Sequence, residues 1–144
     1  DAPNTAIFID FHAEATSEKI AFAHYIDGRA AAMIGTHTHV QTADEKILTH
    51  GLGYLTDCGM CGAYDSVLGV DKNLAIERFL TQRPVRFAQG EGQAQFNACI
   101  LEIENGKTTS IKRLHIVEKA WLNETILQKI CPSNTADFAT TPIC

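Results

Sequence analysis

Apolar and polar residues follow two different periods along this chain, and the switches between them place its elements. Ala6-Ile7-Phe8-Ile9-Asp10-Phe11 is a short apolar, β-rich run that predicts a central strand. Thr16 and Ser17 are suited to N-cap a helix running through Glu18-Lys19-Ile20 to Tyr25-Ile26, ended by Asp27-Gly28. Ala30 to Ile34 reads as a second buried strand. Glu45 to Thr49 and Tyr54 to Thr56 flank Gly51-Leu52-Gly53 in a hairpin-like arrangement. A glycine-rich loop follows from Asp57 to Ser66, long enough to be functional. Asp71 caps a helix over Lys72 to Leu80, which stops before Pro84. The remainder turns to β: Phe96 to Ile103 and Ser110 to Val117 flank Glu104-Asn105-Gly106-Lys107, and Asn-Gly between alternating strands is a strong hairpin signal. From Trp121 the pattern decays, and Ser133 to Thr141 is polar without periodicity. The expected organisation is one α/β domain over residues 1–120, with 121–144 as a loosely ordered tail.

Composition narrows the function classes. At 144 residues, 45% hydrophobic and 20% charged, the chain can bury the core of one ordinary soluble domain. A net charge of −5 argues against broad nucleic-acid or membrane-surface binding, because both are polyanions. A local anion site stays open, since a bound metal brings its own positive charge. No apolar run approaches the roughly 20 residues of a membrane span. No secretory leader is visible at the start, and the chain opens Asp1-Ala2-Pro3-Asn4 rather than with methionine. It is therefore expected to be processed, trimmed or part of something longer. Five scattered cysteines argue against a disulfide framework and for a reducing cytoplasm. Cys58-Gly59-Met60-Cys61 has no second C-x-x-C and no thioredoxin-like surroundings, so it reads as structural.

The chemistry concentrates in histidines. His12 follows the first strand, and His37 and His39 follow the second. In extended backbone a His-x-His pair points both imidazoles the same way, because side chains alternate with period two. Imidazole is the commonest protein ligand for transition metals, so the three histidines predict a metal site. Asp10 or Glu14 is placed to orient one ring through its second nitrogen. His24, His50 and His115 read as structural, with no second ligand expected beside them. Residue types alone leave a single catalytic zinc and a two-metal phosphoesterase equally open.

The motifs separate the two. Asp10-Phe11-His12-Ala13-Glu14-Ala15-Thr16-Ser17-Glu18-Lys19 and Gly35-Thr36-His37-Thr38-His39-Val40-Gln41-Thr42-Ala43-Asp44-Glu45 closely resemble the YmdB-like calcineurin-type metallophosphoesterases. Thr56-Asp57-Cys58-Gly59-Met60, Tyr64-Asp65-Ser66-Val67-Leu68-Gly69-Val70, Phe79-Leu80-Thr81 and Pro84-Val85-Arg86-Phe87 extend the resemblance, which runs from about Ala6 to about Val117. It implies an α/β/β/α sandwich, here only its carboxy-terminal half with mixed and antiparallel strands, and a dinuclear metal centre between the sheets. It also implies a phosphodiesterase acting on 2′,3′-cyclic nucleotides. His12 matches the lone histidine ligand, His37 is implied on the same metal, and His39 on the other. Iron and manganese suit such a centre best, and zinc is also accepted.

The family's aspartate ligand, bridging residues and proton-donating histidine belong to its amino-terminal half, which has no match here. No catalytic residue is therefore assigned within this chain, and the missing half is an expected partner. Alone, the chain is expected to bind metal weakly or at one site and to be inactive or nearly so. Tyr64 and Ser66, in the glycine-rich loop, are substrate-contact candidates by loop length and composition. Cys58 and Cys61 stand where the family more usually has small residues or threonine, and Ala63 replaces a usual proline. The alternatives are a capsule-synthesis-type metallophosphatase relative, a single-zinc amidohydrolase-type enzyme, which the β-rich second half disfavours, and a non-catalytic half-domain that serves as an interaction module or homo-oligomer surface.

Overall fold

The computed structural model describes residues 5–118. Nine elements follow in order: β1 (Phe8–His12), α1 (Thr16–Ile26), β2 (Ala32–Thr36), β3 (Lys46–Ile47), β4 (Gly53–Leu55), β5 (Gly62–Ala63), α2 (Lys72–Thr81), β6 (Ala94–Glu104) and β7 (Lys107–Val117). They form two sheets, β1-β2-β4-β3 and β5-β6-β7.

In the first sheet β1, β2 and β4 run parallel, with β3 antiparallel at the far edge. Parallel strands need both faces covered, and β2 reads accordingly: Ala32, Met33, Ile34 and Gly35 are all buried. α1 covers one face, where Ala23 and Ile26 pack with Met33, Leu52 and Tyr54, and Ile9, Phe11, Ile20 and Phe22 close around them. The β6–β7 hairpin lies against the opposite face, where Thr108 Oγ1 donates to the Ala31 carbonyl at 2.7 Å. Its turn residues Asn105 and Gly106 take φ of 50° and 75°, the pair of positive values that a two-residue hairpin turn requires.

β1 has a hydrogen-bonded neighbour on one side only, among the described residues. Its Phe8, Asp10 and His12 share one exposed face, and Ile7 beside it is also exposed.

Several expectations shift. The first helix is not capped by Thr16 or Ser17: Ala15 is its N-cap, with no side-chain cap bond, and Thr16 is already helical. The first turn closes instead through the Lys19 amide on the Ala15 carbonyl. The second strand starts later than Ala30, whose backbone bridges to Asp27, and runs on to Thr36. Asp71 caps α2 as expected, its carboxylate accepting from the Asn73 and Leu74 amides at 2.8 and 3.1 Å. The glycine-rich loop carries a short strand, β5, paired to β6. The expected tail from Trp121 lies outside the described residues.

Candidate metal centre

The register of β1 on β2 sets His12 opposite Thr36, and period two puts Asp10 on the same face as His12. Thr36 Oγ1 donates to Asp10 Oδ1 at 2.9 Å. With its proton spent there, the hydroxyl accepts from His12 Nδ1–H at 3.1 Å. The tautomer of His12 is thereby fixed, with its Nε2 lone pair toward His37, the arrangement in which a carboxylate orients a metal-ligating imidazole. His12 Nε2 lies 2.9 Å from His37 Nδ1, with the two rings edge to face at 89°. Glu14 Oε2 sits 2.8 Å from His37 Nε2. Both expected orienting carboxylates are thus engaged, Asp10 through Thr36 and Glu14 directly.

The His-x-His pair is not extended, contrary to the strand-based expectation. His37 has φ 116° and His39 φ 65°, so the rings diverge after β2 ends. His39 Nδ1–H donates to the Leu68 carbonyl at 3.2 Å, and its ring lines a cavity of about 410 Å³ with Ser66, Asn97, Arg113 and His115. Positive φ at two non-glycine residues is backbone strain that the surroundings must hold in place.

A buried ion pair does so. Lys19 and Asp57 are both fully buried and bridge at 2.9 Å. Lys19 Nζ also donates to the Thr36 carbonyl at 2.8 Å, and Asp57 Oδ2 accepts from the Thr38 amide at 2.9 Å. The pair therefore grips the backbone on either side of His37. Burial pushes the Asp57 carboxyl up, but the amides of Thr38 and Gly59 and the Lys19 ammonium outweigh it and hold it below its usual value. A second carboxylate, Asp44, accepts from Thr42 Oγ1, Thr56 Oγ1 and the Thr56 amide. Thr42 Oγ1 in turn receives the Asp57 amide.

The donor chemistry suits a metal. Two imidazole nitrogens at 2.9 Å are close to the spacing of about 3.3 Å that two ligands with ~2.0–2.1 Å bonds adopt on one tetrahedral ion. Among the described residues, however, no three His, Cys, Asp or Glu side chains converge on one point. His12 and His37 meet, and His39 stands apart.

Of the other candidates, the Ser66 hydroxyl is engaged locally, donating to the Ala63 carbonyl at 2.6 Å and accepting the Gly69 amide. Tyr64 is half exposed, its ring centroid 6.1 Å from that of His115. Two of the histidines read as structural have a hydrogen-bond partner: His50 Nδ1 lies 3.0 Å from Asp27 Oδ2, and His115 Nδ1 2.7 Å from Asn97 Oδ1. Sequence reasoning gave no role to Lys19, which reads as a helix surface charge, or to Asp57, although both lie within the segments that carry the resemblance.

The family model for YmdB-like proteins matches residues 1–114. The chain belongs to this family. The YmdB-like sequence is 49% identical over 118 residues to a 2′,3′-cyclic-nucleotide 2′-phosphodiesterase of Bacillus subtilis (strain 168), covering 82% of this chain and 43% of that protein. A crystal structure of a hypothetical protein from Thermus thermophilus superposes with TM-score 0.75 at 46% identity, over 78% of this chain and 45% of the other. A novel phosphatase from Mycoplasma pneumoniae superposes with TM-score 0.72 at 39% identity, over 76% and 40%. The architecture is thus mixed α/β of the calcineurin-like phosphoesterase type, in part. The chain spans less than half the length of the relatives it matches. Among the described residues no helix is long and apolar enough to cross a membrane.

Proposed function

We propose that this YmdB-like chain is the histidine-supplying part of a metal-dependent phosphodiesterase acting on 2′,3′-cyclic nucleotides in the cytoplasm. The observation that carries the proposal is the convergence of His12 Nε2 and His37 Nδ1, with Asp10 and Thr36 fixing the His12 tautomer. His12 and His37 would hold one ion and His39 a second, iron or manganese by family type, with zinc also compatible. Such ions supply Lewis acidity toward a phosphoryl oxygen and an acidified water.

The rest is this chain's own work. Lys19 and Asp57 hold the strained His37–His39 backbone so that the imidazoles need not reorganise. The cavity beside His39 offers the Arg113 guanidinium, whose Nε already donates to Glu45 at 2.6 Å, as positive charge for a phosphate. The ribose oxygen that leaves needs a proton. By the family pattern its donor, and further metal ligands, would come from an amino-terminal half, for which the open edge of β1 offers a seat. That open edge and the exposed Ile7 and Phe8 also favour the second reading, a non-catalytic module that binds through them.

The test is a chimera in which residues 6–117 replace the matching stretch of the Bacillus relative. It should hydrolyse 2′,3′-cyclic nucleotides and lose turnover with a chelator, while the 144-residue chain alone binds metal weakly and turns nothing over. Stoichiometric dinuclear metal with turnover in the isolated chain would overturn the part-site reading; chelator-resistant turnover in the chimera would overturn the metal reading. A folded chimera that neither binds metal nor turns over leaves the interaction module.

In the same chimera, Asp10→Asn should lower metal affinity about 10–100-fold, because His12 loses its orienting chain. Titration with Mn²⁺ reads this directly. Tyr64→Phe should raise KM if its hydroxyl meets substrate, whereas Ser66→Ala should act through the turn that it closes. Unchanged KM and kcat in both would remove the loop from the substrate site.

A further inference from the structure

The C-x-x-C spacing is not the pairing that the fold makes. Along β6, period two puts Asn97 and Cys99 on one face. That face meets the segment after β4: Asn97 Nδ2 donates to the Met60 carbonyl at 2.8 Å, and Cys61 Sγ to the Asn97 carbonyl at 3.6 Å. A Cβ on Gly59 would lie 3.1 Å from Asn97 Nδ2, so the loop is in close contact with the strand here. Cys58 immediately precedes Gly59, and Cys99 is the next residue after Asn97 on that face of β6, so the same close approach brings the two cysteines to one contact. Both residues are partly exposed, within reach of a small reagent.

We propose that Cys58 and Cys99 form a reversible thiol–disulfide site, oxidised by low-molecular-weight disulfides of the glutathione class. Cys58 is the attacking thiol. The hydrogen bond from Cys99 outweighs burial and the nearby Asp57 and Asp10 charges, drawing Cys58 down to about 7, whereas the same contact pushes Cys99 up. The Cys58 thiolate attacks one sulfur of glutathione disulfide, whose S–S bond breaks and releases one glutathione thiolate. The Cys58 sulfur then carries no charge, so its share in raising Cys99 is gone and only that of burial remains. Cys99 loses its proton to water and attacks the Cys58 sulfur, expelling a second glutathione thiolate. The net change is one protein disulfide formed and one glutathione disulfide reduced to two thiols.

The link joins the two sheets. Cys58 donates its amide to the Gly35 carbonyl of β2, next to the residues that grip His37, and Cys99 sits in the hairpin layer. Oxidation therefore fixes the hairpin to the segment that carries Asp57. In a reducing compartment the site stays open and reports on oxidative load.

The 144-residue chain, with Cys131→Ser and Cys144→Ser so that Cys61 is the one thiol left besides the pair, is incubated with glutathione disulfide at neutral pH. Non-reducing peptide mapping should find Cys58 linked to Cys99, with the protein lighter by two hydrogens apart from any glutathione held on the exposed Cys61. The thermal midpoint should rise by several degrees and return with dithiothreitol. In Cys99→Ser, Cys58 should stop as a mixed disulfide with glutathione. A Cys58–Cys61 link, or a Cys58–glutathione adduct that never resolves while Cys99 is present, would overturn the proposal. So would no reaction at Cys58. The mapping uses the unsubstituted pair, so it stands even where Cys99→Ser does not fold.

Discussion

Asp57→Ala should lower the free energy of unfolding by about 3–5 kcal/mol, the cost of stranding one partner of a buried ion pair. Lys19 is fully buried and would face an empty site, keeping only the Thr36 carbonyl. The amides of Thr38 and Gly59 would lose their acceptor as well. Urea unfolding measures the loss, and a change under about 1 kcal/mol would contradict the assignment. Lys19→Met should cost a similar amount, and the double variant less than the sum, because the two charges are stranded only singly. The effect also has a pH signature. The folded state holds Asp57 below its ordinary carboxylate value, so its stabilisation is complete above about pH 4. It drains away as pH falls through the lower, folded value. Asp57→Asn should remove that part of the acid sensitivity, leaving a flatter stability profile below about pH 4.

Gly35→Ala should be nearly as damaging, for a steric reason. A Cβ at Gly35 would stand 1.8 Å from the Thr56 carbonyl oxygen and 2.8 Å from its carbon. The obstacle is backbone of the neighbouring segment, which continues into Asp57 and cannot swing aside like a side-chain end. β2 and β4 would have to part where the Cys58 amide bonds the Gly35 carbonyl. Overpacking costs about 1–3 kcal/mol when side chains can give, and this contact belongs at or above the upper end. Thermal unfolding should show a midpoint lower by more than about 5 °C, and a shift within about 2 °C would contradict the close approach. Because Gly35 is two residues from His37, metal affinity should fall with it.

The elements were legible where one period ran long enough to be unambiguous. The β6–β7 hairpin was readable from alternation around Asn105-Gly106, and α2 from Asp71 before a helical run. The start of α1 was misplaced because Thr16 and Ser17 look like caps, yet the cap falls one residue sooner, at Ala15. Of the candidate site, the three histidines and both nearby carboxylates were visible as residue types. Their grouping was not. The rule that His-x-His shares a face holds only in extended backbone, and φ of 116° and 65° at His37 and His39 breaks it.

The sequence by itself determined the family, the α/β character and the imidazoles available for chemistry, because motifs and periodicity are local and survive in one dimension. Only the tertiary structure decided which groups act together. It joined Lys19 to Asp57, 38 residues apart, behind His37. It seated Thr36 between Asp10 and His12, and brought the β6 face that carries Asn97 and Cys99 against the segment that follows Cys58. Each of these contacts is set by strand register and by the stacking of two sheets, which depend on the whole chain packing at once.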